Sequence, residues 1–211
     1  MYQTDFTPEE LASRRQRVLE ATGSHAVALL QGAEKETNHD RFRQTNDFYY
    51  LCGVEVPHAY LLLDGRDQSC SLYLPHQSSP RREREGEILS AENAERVCKL
   101  TGIDAAYGIE ELSRLLEGVK ELYTPMRMAE GAMMSGDTLQ RSQQEVFSDP
   151  WDGRPDRTRW FVALLRQRLP ATELRDLVPI TDEMRWTSRQ AWLSTRKHHD
   201  PFAIDADAHG A

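Results

Sequence analysis

Short apolar runs bounded by turn residues recur along the chain and alternate with stretches of helical period. The run His25-Ala-Val-Ala-Leu-Leu30 predicts a buried strand. Ala59 to Asp64 and Ser69 to Leu74 predict two more, and the turn Asp64-Gly65-Arg66-Asp67 between them predicts an antiparallel hairpin. Glu121 to Thr124, before Pro125, and Glu173 to Val178 read as further short strands. Thr7-Pro8-Glu9-Glu10 reads as a helix start, with Thr7 as cap, Pro8 at the first helical position and Glu10 completing a capping box. Leu11, Val18 and Leu19 then form a sparse apolar stripe that Gly23 ends. Helices are also predicted from about Ser90 to Leu100, stopped by Gly102, and from Ile109 to Glu117. Arg157 to Leu169 places Trp160, Phe161, Leu164, Leu165 and Leu169 on one helical face, and a last helix begins at Ile180. Ser148 to Asp156 is a loop by its Pro and Gly content. The pattern predicts an α/β domain, a mixed β-sheet flanked by helices. No internal repeat is visible.

Charge and composition narrow the function classes. A formal net charge of -8 argues against nonspecific nucleic-acid binding, which requires neutralising phosphates with Lys and Arg. No apolar run approaches the ~18 residues of a membrane span, and Met1 to Glu20 lacks the apolar stretch of a secretory signal. Cys52, Cys70 and Cys98 are odd in number and widely spaced, as expected of reduced thiols in a cytoplasmic protein and not of a disulfide framework or a zinc knuckle.

Candidate chemistry is sparse. His25, His39, His58 and His76 show no i, i+4 pairing and read as solvated or core-satisfied. His198, His199, Asp200, Asp205, Asp207 and His209 crowd an irregular tail, where nothing would hold metal ligands in place. Arg81-Arg82-Glu83-Arg84-Glu85 is a mixed run that reads as a solvated face. Nucleophile-elbow, Walker and dinucleotide glycine patterns do not occur.

The most unusual stretch is Arg41-Phe-Arg-Gln-Thr-Asn-Asp-Phe-Tyr-Tyr-Leu-Cys-Gly53, followed by Val54-Glu-Val-Pro57. It holds two arginines, a turn-prone Asn-Asp pair, three consecutive aromatics and a Gly stop, and aromatics between core strands read first as packing. This stretch resembles the signature of the amino-terminal domain in the Xaa-Pro aminopeptidase, prolidase and creatinase family. Phe42, Arg43, Gln44, Asp47, Phe48, Tyr50, Leu51, Gly53 and Pro57 match it, with Cys52 where Thr is common. Phe6 with Arg14-Arg15 to Val18 resembles the family's first helix. Leu100 to Asp104 followed by Ile109 to Leu112 resembles a later segment, and Val178 to Arg185 resembles the domain's end. The resemblance spans about residues 5–185.

The resemblance implies a ribonuclease-H-like mixed sheet with helices on both faces. In relatives this domain helps oligomerisation and walls one side of the active-site cleft of a peptidase whose substrates carry proline in the second position. It also implies that the chemistry lies in a second, pita-bread domain, where two Asp, one His and two Glu hold two Mn(II) or similar ions. No catalytic residue, metal ligand or cofactor is expected in this chain. The organisation expected is residues 1–185 as the amino-terminal domain and 186–211 as an irregular tail in place of the linker to the catalytic domain. Asp40, Arg43 and Arg84 are candidate cleft residues. Arg84-Glu85-Gly86 stands where many relatives have Trp-x-Gly, a tryptophan that reaches a neighbouring subunit's active site. Expected partners are a second copy of the chain and a pita-bread catalytic domain, without nucleic acid or membrane. The alternative function is a stand-alone binding or assembly module. An excised domain, a naturally short protein and a frame change near Trp186 each account for the sequence after Arg185, and its irregular character favours the latter two.

Overall fold

Thr7 Oγ1 accepts the Glu10 N–H at 3.2 Å, and Pro8 opens helix α1 (Pro8–Thr22) at a position that needs no N–H. Only half of the predicted capping box forms, because the Glu10 carboxylate turns one helical turn onward to pair with Arg14. The computed structural model describes residues 6–34, 42–77, 89–127 and 157–197, with side chains described to residue 187. The buried face of α1 is fuller than its apolar residues foretold: Leu11, Val18 and Leu19 share it with Arg14, Arg15 and Thr22.

Among the described residues, β1 (Val27–Gln31), β2 (Tyr60–Asp64), β3 (Ser69–Leu74), β4 (Ala105–Gly108), β5 (Glu121–Thr124) and β6 (Glu173–Asp176) form one sheet. Their order is β4-β3-β2-β1-β5-β6. Strand β2 runs antiparallel to both neighbours, and every other pairing is parallel. The predicted hairpin is present, with Leu61 opposite Leu72 and Leu63 opposite Cys70. Strand β4, Ala105-Ala-Tyr-Gly108, where Tyr107 is flanked by the weak strand formers Ala and Gly, gave no signal in the sequence; its pairing with β3 creates it. Val178, expected to end the last strand, instead opens a helix.

The sheet is covered on both faces, so its central strands read as unbroken apolar runs without alternation. On one face, Ala28, Leu30, Leu61, Leu63, Leu72 and Leu74 pack with residues of α1, α2 (Asn46–Cys52), α3 (Ala94–Thr101) and α6 (Val178–Lys197). On the other, Val27, Leu29, Leu62 and Tyr73 pack with α4 (Leu112–Leu116) and α5 (Arg157–Arg168). Each fully buried leucine contributes roughly 1.5–3 kcal/mol by transfer from water. Helix α3 follows a tight turn, Ala91–Asn93, in which the Ser90 N–H donates to Asn93 Oδ1 at 2.8 Å. Helix α5 buries Phe161, Val162 and Leu165, whereas Trp160 is 63% exposed. The predicted stripe was thus set slightly off, with Trp160 beyond its outer edge. Helix α6 runs through the expected boundary at Arg185 to Lys197, so the change in composition there brings no change in secondary structure.

Candidate functional site

From Phe42 the matched stretch forms α2 and the loops at its two ends, and two of its polar residues, Gln44 and Asp47, turn inward. Gln44 is buried just before α2. Its Oε1 accepts the N–H groups of Ala33 and Thr45, and its Nε2 donates to the Val56 carbonyl at 3.1 Å. One side chain therefore satisfies backbone groups in the loop after β1 and in the loop after α2, which would otherwise be buried unpaired. Gly32 makes room for it: a Cβ there would lie 2.9 Å from Gln44 Nε2 and 2.8 Å from the Ala59 carbonyl. Gly53, at φ +67°, caps α2 in a left-handed conformation and donates its N–H to the Tyr49 carbonyl. Phe48 and Leu51 are fully buried, and Pro57 is buried beyond the helix.

Asp47 reaches across to α6. Its Oδ2 accepts the Thr181 hydroxyl at 3.0 Å, and Arg185 Nη1 stands 2.7 Å from Oδ1. That second contact is an ion pair more than a directed hydrogen bond. Burial pushes the Asp47 carboxyl above the ordinary aspartate range, against the opposing pull of Arg185 and the Thr181 hydroxyl. Arg185 Nη2 also meets Asp182, and Asp182 Oδ2 lies 3.3 Å from Arg127 Nη2. The network joins α2, α6 and the segment after β5.

Arg14 and Arg15 complete the arrangement from α1. Arg14 donates to the Tyr50 carbonyl at 3.0 Å, and its guanidinium lies 4.1 Å from the Phe6 ring centroid and 4.2 Å from that of Tyr50. Arg15 is 2% exposed. It donates to the carbonyls of Leu51, Thr101 and Gly102, the last at 2.8 Å. Those carbonyls end α2 and α3, where the helix dipole concentrates negative charge and acceptors lack helical partners. A buried cation is thus neutralised by two helix ends. The sequence presented Arg14-Arg15 only as part of the family pattern, since their acceptors lie 36 to 87 residues away.

Of the candidates for cleft chemistry Asp40, Arg43 and Arg84, the described residues include Arg43. Arg43 is exposed, with Nη1 3.5 Å from Glu55 Oε1. Asp40, Arg84, the charge run 81–85, His39 and the His/Asp tail lie outside the described residues. Burial pushes the Cys52 thiol up to about 12 and the Cys70 thiol to about 11, and that of Cys98 is raised as well. None of the three is a thiolate nucleophile at neutral pH. Cys52 Sγ donates to the Phe48 carbonyl one turn back. Thr22 and Thr101 use their hydroxyls in the same way in α1 and α3, which explains how cysteine substitutes for threonine in the matched pattern. Among the described residues, no group of three or more His, Cys, Asp or Glu side chains could hold a metal ion, so this donor set does not fit a pair of divalent ions. No helix among them is long and apolar enough to cross a membrane.

Comparison with known proteins gives a consistent picture. The family model described as aminopeptidase P, N-terminal domain, matches residues 11–125. A Xaa-Pro aminopeptidase of Haemophilus influenzae is 29% identical over 160 residues, covering 73% of this chain and 36% of that protein. Xaa-Pro aminopeptidase 3 of Rattus norvegicus is 31% identical over 162 residues, covering 66% of this chain and 29% of its own length. The chain thus spans about a third of the curated relatives it matches. A structure from Bacillus anthracis assigned to aminopeptidase P superposes over 85% of this chain and 40% of its own, with a TM-score of 0.65 at 18% identity. Aminopeptidase P from E. coli with the inhibitor Pro-Leu covers 86% of this chain and 39% of its own, with a TM-score of 0.59 at 23% identity. At these identities the structural likeness speaks for the fold, and the family is carried by the match over residues 11–125. With its matched segment folded into the helix-tying core of that domain, the chain belongs to the aminopeptidase P N-terminal domain family.

Proposed function

We propose that this chain serves as the non-catalytic amino-terminal domain of a Xaa-Pro aminopeptidase-like protein, shaping one wall of the active-site cleft and contributing to oligomerisation. The observation that carries the reading is the match to the N-terminal domain family over residues 11–125, together with relatives named for Xaa-Pro peptide cleavage. The matched side chains support a scaffolding role in this chain. Gln44, Arg14 and Arg15 are spent on backbone carbonyls and amides, and Asp47 on Thr181 and Arg185, so all four are engaged within the domain. Arg43 is the described candidate whose guanidinium is exposed enough to line a cleft.

On this reading the two divalent ions and their ligands belong to the portion of the relatives that this chain does not span. Peptides with proline in the second position are the substrates of the whole assembly and not of this chain. Pure protein supplied with Mn(II) is expected to release no first residue from such a peptide. Sedimentation velocity tests the assembly role. Self-association at micromolar concentration supports it, whereas a strict monomer at the highest attainable concentration removes oligomerisation from the proposal.

A further inference from the structure

His76 lies just past β3, and each of its two ring nitrogens faces a carboxylate from a different part of the chain. Nδ1 is 2.6 Å from Glu92 Oε1, in the turn before α3, and Nε2 is 2.9 Å from Glu110 Oε1, in the turn before α4. Ionised carboxylates only accept hydrogen bonds. A neutral imidazole has one N–H, so it can satisfy one of these contacts while its bare nitrogen faces the other carboxylate lone pair to lone pair. Both contacts together require the imidazolium.

Two backbone features are built around the arrangement. The second oxygen of Glu92 accepts the Gln77 N–H at 3.1 Å, so the same carboxylate holds both the His76 ring and the backbone that follows it. Gly108 leaves space for the Glu110 carboxylate to fold back: a Cβ at position 108 would overlap it. From these contacts we infer that His76, Glu92 and Glu110 form a proton-dependent clamp that joins the end of β3 to the starts of α3 and α4, and that releases one glutamate when His76 loses its proton. Glu92 and Glu110 are the charged groups that face the ring among the described residues, one from each flanking turn.

The direction of titration agrees with the geometry. Hydrogen bonds donated to Glu110 and Glu92 raise the His76 value above the ordinary histidine range, while hydrogen bonds from Ser90 and His76 hold Glu92 down at about 2. The clamp is therefore closed while His76 is protonated and both glutamates are ionised, and opens as the pH rises through the His76 value. All three side chains are about half exposed or more, so the effect is local and weakens with salt. Because each ring nitrogen is taken by a separate carboxylate, the cluster is not a metal centre.

The test is a pH titration of the full chain followed by NMR, with His76 assigned by comparison with His76→Gln. The expected result is a His76 midpoint above that of Glu92→Gln, Glu110→Gln and the double variant, which should be lowest. The Gln77 amide should shift with the same midpoint, and that step should vanish in His76→Gln. Gly108→Ala, which keeps every charge but displaces Glu110, should lower the midpoint as Glu110→Gln does. A His76 midpoint unchanged in the double variant, or a Gln77 amide indifferent to the His76 titration, overturns the inference.

Discussion

Replacing Arg185 by alanine tests the tie between α2 and α6 on which the arrangement of the matched segment depends. The substitution removes the cation 2.7 Å from Asp47 Oδ1 and leaves a carboxylate whose side chain is 4% exposed with only the Thr181 hydroxyl as a described partner. Breaking a buried ion pair on one side costs roughly 3–5 kcal/mol. Arg185 is itself 24% exposed, so water enters part of the vacated space and the lower end applies, about 3 kcal/mol at neutral pH. With a urea slope of ~2 kcal/mol per molar, the unfolding midpoint should fall by about 1.5 M with the slope unchanged.

The pH dependence gives a second reading of the same contact. The folded-state value of Asp47 is already raised, so its contribution is fully present below the unfolded value near ~3.9 and is lost as pH rises through the folded value. Removing Arg185 raises the folded value further. The destabilisation should therefore be smaller at pH 5 than at pH 8. Asp47→Asn in the Arg185→Ala background should recover part of the loss, because the unpaired charge is gone. A loss below about 0.5 kcal/mol, within the range of an ordinary surface substitution, refutes the reasoning. So does a loss that is equal at the two pH values.

Three further outcomes follow from the same packing. Arg15→Met keeps much of the stem but abandons the carbonyls of Leu51, Thr101 and Gly102, and should cost roughly 4–5 kcal/mol in urea unfolding, the low end for three hydrogen bonds to a charged group at ~1.5–3 kcal/mol each. Gly32→Ala places a Cβ against Gln44 and the Ala59 carbonyl and should destabilise by roughly 1–3 kcal/mol, read as a lowered Tm. Thiol titration with a disulfide reagent at pH 8 should label half-buried Cys98 first, and Cys52 and Cys70 only on unfolding. Three thiols reacting equally fast in the native protein would contradict the burial described.

Strands were the most legible part of the sequence, because burial on both faces writes them as continuous apolar runs with Gly, Asp and Pro at their ends. β3 matches its expected bounds, and β2 differs by one residue. Strand β4 was invisible because three of its four residues, Ala105, Ala106 and Gly108, are weak strand formers held by pairing with β3. Trp160 misled in the opposite direction, since size and apolarity say nothing about which edge of a stripe meets the sheet. The matched segment could be recognised, but its physical role could not be read. Asp47 meets Thr181 across 134 positions, and Arg15 meets Gly102 across 87, so no local period records either contact. His76 was set aside for want of an i, i+4 partner, while its glutamates lie 16 and 34 positions away. The boundary expected at Arg185 came from composition and from the departure from the family pattern after that residue, and α6 runs past it to Lys197.

The central claim is that this chain is a scaffold whose matched residues hold helices together and perform no chemistry. The most direct test is peptide release measured on the pure chain with Mn(II) and a peptide carrying proline in its second position, beside a full-length Xaa-Pro aminopeptidase as positive control. The account predicts release indistinguishable from the chelator-treated blank while the positive control turns over. Release that travels with the protein through size separation, is abolished by chelation and returns with added metal would contradict it.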